Sequence, residues 1–217
     1  MAVKYNVIIP VVNRDLAAAL LDSIAANTVI PDNILIIDNS LVPQAFPVQA
    51  RLPVSVIVDP GKRLGVNASW NLGIGETGDC DYLAILNDDV ILGEHFFEKN
   101  IKIFRQYKDC GAACPDTVHD MADLHDNTHG KIIRMKKREG WAFSFRWPLL
   151  MMIPSIPDEL TTFCGDDWFW VHTHMEGFRW YKDTGNIIYH EVGAAVKQLG
   201  VRSHLRRDRA AFKGVIR

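Results

Sequence analysis

A chain of 217 residues, 48% hydrophobic and 23% charged, has the make-up of an ordinary globular protein with one sizeable core, so a single domain is expected. No segment approaches the roughly 20 uninterrupted apolar residues of a membrane span, and "MAVKYNVIIPVVNRD" lacks a cleavable signal pattern, so a cytoplasmic location is expected. The net charge of -2 conceals five basic residues in "KIIRMKKR" (131–138) and seven more in 197–217, opposed there only by Asp208, which suits either a solvated face or an anionic partner.

In chain order, "YNVIIPVV" and "NILIIDNS" are short β-branched runs. Between them, the spacing of Leu16, Ala19, Leu20 and Ile24 predicts an amphipathic helix. Strand, helix, strand is a parallel βαβ unit. "PVSVIVDPG" reads as a third strand stopped by Pro60 and Gly61, "GVNASWNLGIGET" as a helix closed by glycine, and "DYLAILNDDVIL" as a further strand. A helix is predicted over Glu94–Tyr107. "CGAACPDTVHDMADLHDNTHG" reads as a loop in which "GAAC" has room for a small strand, and the aromatic stretch "GWAFSFRWPLLMMIPSIP" is irregular. "GDDWFWVHTHMEGF" follows as a helix and "GNIIYHE" as a short strand. Cys80, Cys110, Cys114 and Cys164 show neither a CxxC pair nor zinc spacing and read as reduced thiols in or near the core.

Chemistry concentrates at strand ends, where ligands of open α/β sheets bind. Asp38 closes "ILIID", Asp59 closes "VSVIVD", and Asn87, Asp88 and Asp89 close "YLAIL". Each alone is explained by a turn or cap. A carboxylate in an otherwise buried run, however, costs several kcal/mol unless it faces solvent or meets a cation. Asn67 and Asn71, at i and i+4, share one helix face.

The order of "VIIPVVNR", "LIIDNS", "GVNASWNLGI", "LNDDV", "GDDWFW" and "YHEVG" resembles the inverting, nucleotide-sugar-dependent GT-A glycosyltransferases of family 2. The resemblance implies a GT-A (Rossmann-like) α/β fold in a single domain over 1–217, with a mostly parallel central sheet flanked by helices. Residues 1–92 would form the nucleotide-sugar half, 93–195 the acceptor half and 196–217 a basic tail. It also implies a metal site at Asn87, Asp88 and Asp89, with Asp89 and His190 as ligands and Mn²⁺ or Mg²⁺ as the cation. Pro10, Asn13, Asp38, Arg63, Asn67, Asn71, Asn87 and Asp88 would then contact the donor, most simply a UDP-sugar, with Asp88 or Asn87 on its ribose or on a metal-bound water, and Lys197, Arg202 and Arg206 would counter its phosphates. Asp167, preceded by Asp166, matches the general base; Trp141 and Trp168 fall on the acceptor side. The chain departs from the family pattern at Asn87, at Asp166 in place of Glu, and at Phe169, where a third acid is common.

Two other readings stand beside this one. The acceptor is a glycan in the first reading; the basic stretches motivate a hydroxymethylated pyrimidine in viral DNA instead, with salt-sensitive binding as its signature. A non-catalytic nucleotide- or sugar-binding module of the same fold would bind nucleotide without transfer or hydrolysis. No G-x-G-x-x-G follows the first strand, which speaks against a dehydrogenase or methyltransferase. His119, His125 and His129, interleaved with Asp120, Asp123 and Asp126, imitate a metal cluster of the kind polar loops collect by chance.

Overall fold

The computed structural model describes residues 3–41, 51–58, 62–125, 129–191 and 203–216. The first half follows the expected alternation: β1 (Tyr5–Val11), α1 (Arg14–Ala25), β2 (Asn33–Asp38), β3 (Val54–Val58), α2 (Val66–Glu76) and β4 (Tyr82–Leu86). β1 pairs in parallel with both β2 and β4, and β2 pairs in parallel with β3. Strand order therefore reverses at β1, which opens a crevice beyond the carboxyl ends of β1 and β4.

Period-two alternation explains why these runs bury both faces. Val7, Ile9 and Val11 pack on one side with Leu20, Leu21 and Ile24 of α1, while Ile8 packs on the other with Trp70 of α2. Ile34 and Ile36 of β2 and Ala84 and Leu86 of β4 join the first core, and Leu35, Ile37, Leu83 and Ile85 the second.

The second half comprises β5 (Val90–Leu92), α3 (Phe96–Gln106), β6 (Cys110–Val118), a 3₁₀ turn at Met121–Asp123, β7 (Ile132–Arg134), β8 (Ala142–Arg146), α4 (Trp147–Leu150), α5 (Gly165–Met175), β9 (Arg179–His190) and α6 (His204–Val215). Here the sheet departs from the mostly parallel expectation and is mixed. β8 is antiparallel to both β4 and β6, and β5 and β7 are antiparallel to β9, while β6 and β9 run parallel. The order among the described residues is β3-β2-β1-β4-β8-β6-β9-β5, with β7 on β9.

Three expectations change in detail. "DYLAILNDDVIL" is two strands: the chain turns at Asn87, Asp88 and Asp89, so that β4 lies beside β1 and β5 beside β9. The stretch read as a loop with a small strand begins with nine-residue β6, where Ala112, Ala113 and Cys114 are fully buried. Small residues are required there, since a Cβ on Gly111 would lie 2.5 Å from Leu149 and 2.8 Å from Thr173. The short strand "GNIIYHE" is the end of twelve-residue β9, whose first half hid behind polar Lys182, Asp183 and Thr184. Cys110, Cys114 and Cys164 are buried, Cys80 is half-buried, and all four are free thiols. No helix among the described residues is long and apolar enough to cross a membrane.

α5 enters its place through a close approach. A Cβ on Gly165 would lie 2.1 Å from Asn67 Oδ1 and 2.9 Å from Trp70. Asn67 cannot move aside, because its side-chain amide donates to Leu160 O at 2.8 Å and Phe163 O at 3.0 Å. Gly165→Ala is therefore expected to destabilise the fold by about 1–3 kcal/mol through overpacking, read as a lower urea midpoint with an unchanged m-value.

Candidate active site

The turn after β4 brings the acidic residues to the crevice. Asp88 is buried, and its Oδ2 accepts from the backbone N–H groups of Val12 at 2.7 Å and Asn13 at 2.8 Å, joining the ends of β1 and β4. Burial pushes its carboxyl up to about 6 against the opposing pull of these two bonds. Asn13 also caps α1, its Oδ1 accepting from Asp15 N and Leu16 N.

Asp89 meets His190 because the β5–β9 register pairs Val90 with His190. Asp89 Oδ1 lies 3.5 Å from His190 Nε2, and both side chains are largely buried. Asp89 Oδ1 and His190 Nδ1 are buried atoms with no hydrogen-bond partner. Trp141 stacks on the imidazole with ring centroids 5.0 Å apart, fixed by an indole bond to Thr117 Oγ1 of 2.9 Å, and its carbonyl accepts from Asn87 N. A buried carboxylate oxygen left unmatched beside an imidazole is what a divalent cation would complete. Among the described residues no group of three His, Cys, Asp or Glu side chains converges. The fit is thus to a cation that takes few protein ligands and completes its shell with phosphate and water, as Mg²⁺ does.

Asp88 and Asp89 open onto a cleft of about 360 Å³, also lined by Pro10, Val12, Asn39, Arg63, Leu64, Gly65, Val66, Ser69, Asn87, Thr161, Thr162, His204 and Arg207. Asn39 shapes one wall: its side chain donates to Ser69 Oγ at 3.0 Å and accepts from Leu64 N at 2.8 Å, while its carbonyl accepts from Arg63 Nε. Asp38, next to it, pairs with Arg14 and accepts from Ser40 N. Burial raises its carboxyl, but Ser40 and Arg14 outweigh that and leave it below the ordinary range. At the opposite wall a Cβ on Gly65 would lie 2.1 Å from Thr161 O, so only glycine admits that strand of chain.

Within the expected basic tail, 204–215 is helical, and α6 is docked by one carboxylate. Fully buried Asp208 accepts from Thr162 N at 2.8 Å and Phe163 N at 2.9 Å and pairs with Arg207. This seats Arg207 against Thr161 Oγ1 and His204 against Thr162 Oγ1, both on the cleft, and leaves Arg206 exposed. Burial alone would raise the Asp208 carboxyl; the amides of Phe163 and Thr162 and Arg207 hold it below its ordinary value. A depressed carboxyl contributes stability above its unfolded value of about 3.9 and loses it as pH falls through the folded value. Asp208→Ala, which strands two buried amides, is expected to cost about 1–3 kcal/mol. Hydrogen exchange should show the α6 amides losing protection in the variant at neutral pH, and in the wild type only on acidification.

The second acidic pair opens α5. Cys164, ahead of it, adopts the left-handed conformation with φ 65°. Asp166 and Asp167 both face Arg138: its terminal nitrogen donates to Asp167 Oδ2 at 2.6 Å, and its Nε lies 3.2 Å from Asp166 Oδ2. Burial raises the Asp166 carboxyl, with Arg138 opposing.

Several expected site residues hold the scaffold. Asn67 binds 160 and 163, and Asn71 exchanges two bonds with Ile156, of 2.8 and 3.0 Å, so both asparagines fasten the segment that leads into α5. Trp168 is buried, with its indole N–H on Pro154 O. Lys197, Arg202, Asp59 and Asp126 lie outside the described residues. Sequence reasoning missed the roles of Asn39, which stands in "LIIDNS", of Arg138, which ends "KIIRMKKR", and of His204 and Arg207; the signal for α6 was Asp208, the lone acid in a basic stretch.

The mixed sheet, the β1/β4 crevice and the acidic turn define a GT-A glycosyltransferase fold, shared with solved structures. GalNAc-T7 crystallised with UDP, GalNAc and Mn²⁺ aligns at 11% identity and TM-score 0.66, over 87% of this chain and 43% of that one. S. aureus TarS aligns at 13% and 0.66, over 88% of this chain and 37% of that one, and its 1–349 structure at 13% and 0.65, over 86% and 60%. The chain thus spans between 37% and 60% of the length of these structures. Residues 6–156 match the family described as glycosyl transferase family 2, and the chain belongs to that family. No curated protein matches it.

Proposed function

We propose that the chain moves a sugar from a nucleoside-diphosphate sugar, most simply a UDP-sugar, to a hydroxyl of a glycan acceptor, with a divalent cation and with inversion. The observation that carries this reading is the Asp89–His190 pair, with its unmatched buried oxygen and nitrogen, at the mouth of the 360 Å³ cleft. Asp89 and His190 would hold Mn²⁺ or Mg²⁺, which when bound neutralises the charge developing on the departing diphosphate. Pro10, Asn39, Arg63 and Asn87 line the space for the nucleoside and ribose, and His204 and Arg207 bring positive groups to the same cleft. The donor half then reaches beyond 1–92, because Thr161, Thr162 and α6 close one wall.

Asp167 is the group to take the proton of the acceptor hydroxyl as it attacks. Attack from the side opposite the diphosphate inverts the anomeric carbon. Solvent access to Asp167, whose side chain is 25% exposed, supports this role. GalNAc-T7, solved with UDP and Mn²⁺, makes that pair the first to try. The test is a thermal-shift series with UDP, GDP, dTDP and CDP, each with and without Mn²⁺. UDP near 100 times its dissociation constant should raise Tm by about 5–10 °C, and only with Mn²⁺. No shift with any nucleotide refutes the donor site.

A further inference from the structure

If Asp167 is the base, something must hold it in place beside Asp166 and aim it at the acceptor. Two adjacent carboxylates on one helix turn repel each other unless a cation intervenes. Arg138 is that cation. Its terminal nitrogen donates to Asp167 Oδ2 at 2.6 Å, and its Nε lies 2.5 Å from Oδ1 as an ion-pair contact without a hydrogen bond. The other groups facing the pair are Asp166 and the Cys164 thiol, which burial pushes up to about 11 and so keeps neutral.

Arg138 is itself held. Its neighbour Glu139 pairs with Lys182 of β9 at 2.5 Å, and Lys182 also meets Asp116 of β6 at 3.0 Å. Gly140 lies against Asp166, where a Cβ would come within 2.8 Å of the carboxyl carbon. Trp141 stacks on His190. Four consecutive residues thus run from the α5 carboxylates to the Asp89–His190 pair, each fastened to a different partner.

We propose that Arg138 is the positioning residue of the acceptor-activating carboxylate: its guanidinium fork fixes Asp167 in place and, through Glu139 and Lys182, ties it to the strand that carries His190. The inference rests on the reading of Asp167 as the base. A carboxylate has about four lone-pair sites, so the fork leaves acceptor positions for a hydroxyl proton. Lysine supplies the charge without the fork.

The test is a ¹³C NMR titration of aspartate carboxyls in the wild type, Arg138→Met and Arg138→Lys, with the Asp167 signal assigned by its loss in Asp167→Asn. The Asp167 inflection should rise by about one pH unit or more in Arg138→Met, and by less in Arg138→Lys. The acid limb of UDP-sugar hydrolysis, followed with whichever of UDP-glucose, UDP-galactose, UDP-GlcNAc and UDP-GalNAc turns over fastest, should move the same way with KM within twofold. An unmoved inflection, or faster hydrolysis in Arg138→Met at every pH, overturns the proposal. If Arg138→Met does not fold, Arg138→Lys decides by the same inflection. Failure of the base assignment shows separately, as a wild-type hydrolysis rate in Asp167→Asn.

Discussion

Asp89→Ala is expected to remove the Mn²⁺-dependent part of nucleotide binding, weakening UDP in the presence of Mn²⁺ by at least about 100-fold. Loss of an outer-shell partner alone typically costs about 10- to 100-fold in metal affinity, and Asp89 is the carboxylate that would touch the ion. The same substitution should leave the metal-free protein as stable as the wild type or more so. Asp89 Oδ1 is buried without a hydrogen-bond partner, its one charged neighbour being His190 Nε2 at 3.5 Å, and a buried carboxylate oxygen whose hydrogen bonds are unmade is a cost to the fold. Opposite signs of effect on apo stability and ligand binding distinguish a functional carboxylate from a structural one. Calorimetric titration of UDP with Mn²⁺ together with a metal-free melt reads both, and wild-type UDP affinity in Asp89→Ala ends the metal-site reading.

The neighbouring Asp88 should behave oppositely, and this separates two residues that the sequence presents as equals. Its carboxylate already has two backbone donors, Val12 N and Asn13 N. It staples β1 to the β4 turn and so shapes the crevice. Adjacent positions in one motif therefore divide the work: the first carboxylate is satisfied by the chain, and the second is left for a ligand.

That division marks the limit of what the sequence made legible. The βαβ start, the strand-end carboxylates and the helix opening at Asp166 were readable because each rests on local signals: β-branched runs, capping residues and period-two alternation. The mixed sheet was not, since β6 is built from Cys110, Gly111, Ala112 and Ala113, small residues that look like loop yet are chosen for the tight contact with Leu149 and Thr173. Asn67 and Asn71 share a face as expected, but nothing local tells which partner that face meets, and it meets 156–163. Arg138 illustrates the same limit from the other side. In the sequence it is the last of five basic residues in "KIIRMKKR", and only the fold shows that it turns inward to Asp166 and Asp167 while Lys136 and Lys137 remain exposed.

Asp167→Asn separates donor binding from chemistry. The substitution keeps size and an acceptor oxygen facing Arg138 but cannot take a proton. Loss of a positioned general base typically costs about 10²- to 10⁴-fold in rate, so kcat for transfer should fall by that factor. Affinity for UDP with Mn²⁺ should stay unchanged, because neither Asp167 nor Arg138 lines the cleft. Asp166→Asn should cost far less. Asp166 is the carboxylate that burial favours in its neutral form, and Arg138 makes its closer contacts with Asp167, at 2.5 and 2.6 Å against 3.2 Å for Asp166. The comparison therefore ranks the two acids by their surroundings: Arg138 makes its closer contacts with Asp167, and burial favours the neutral form of Asp166. Equal losses in the two variants would mean that the pair acts as a unit sharing one proton. A wild-type kcat in Asp167→Asn would move the search for the base to another residue.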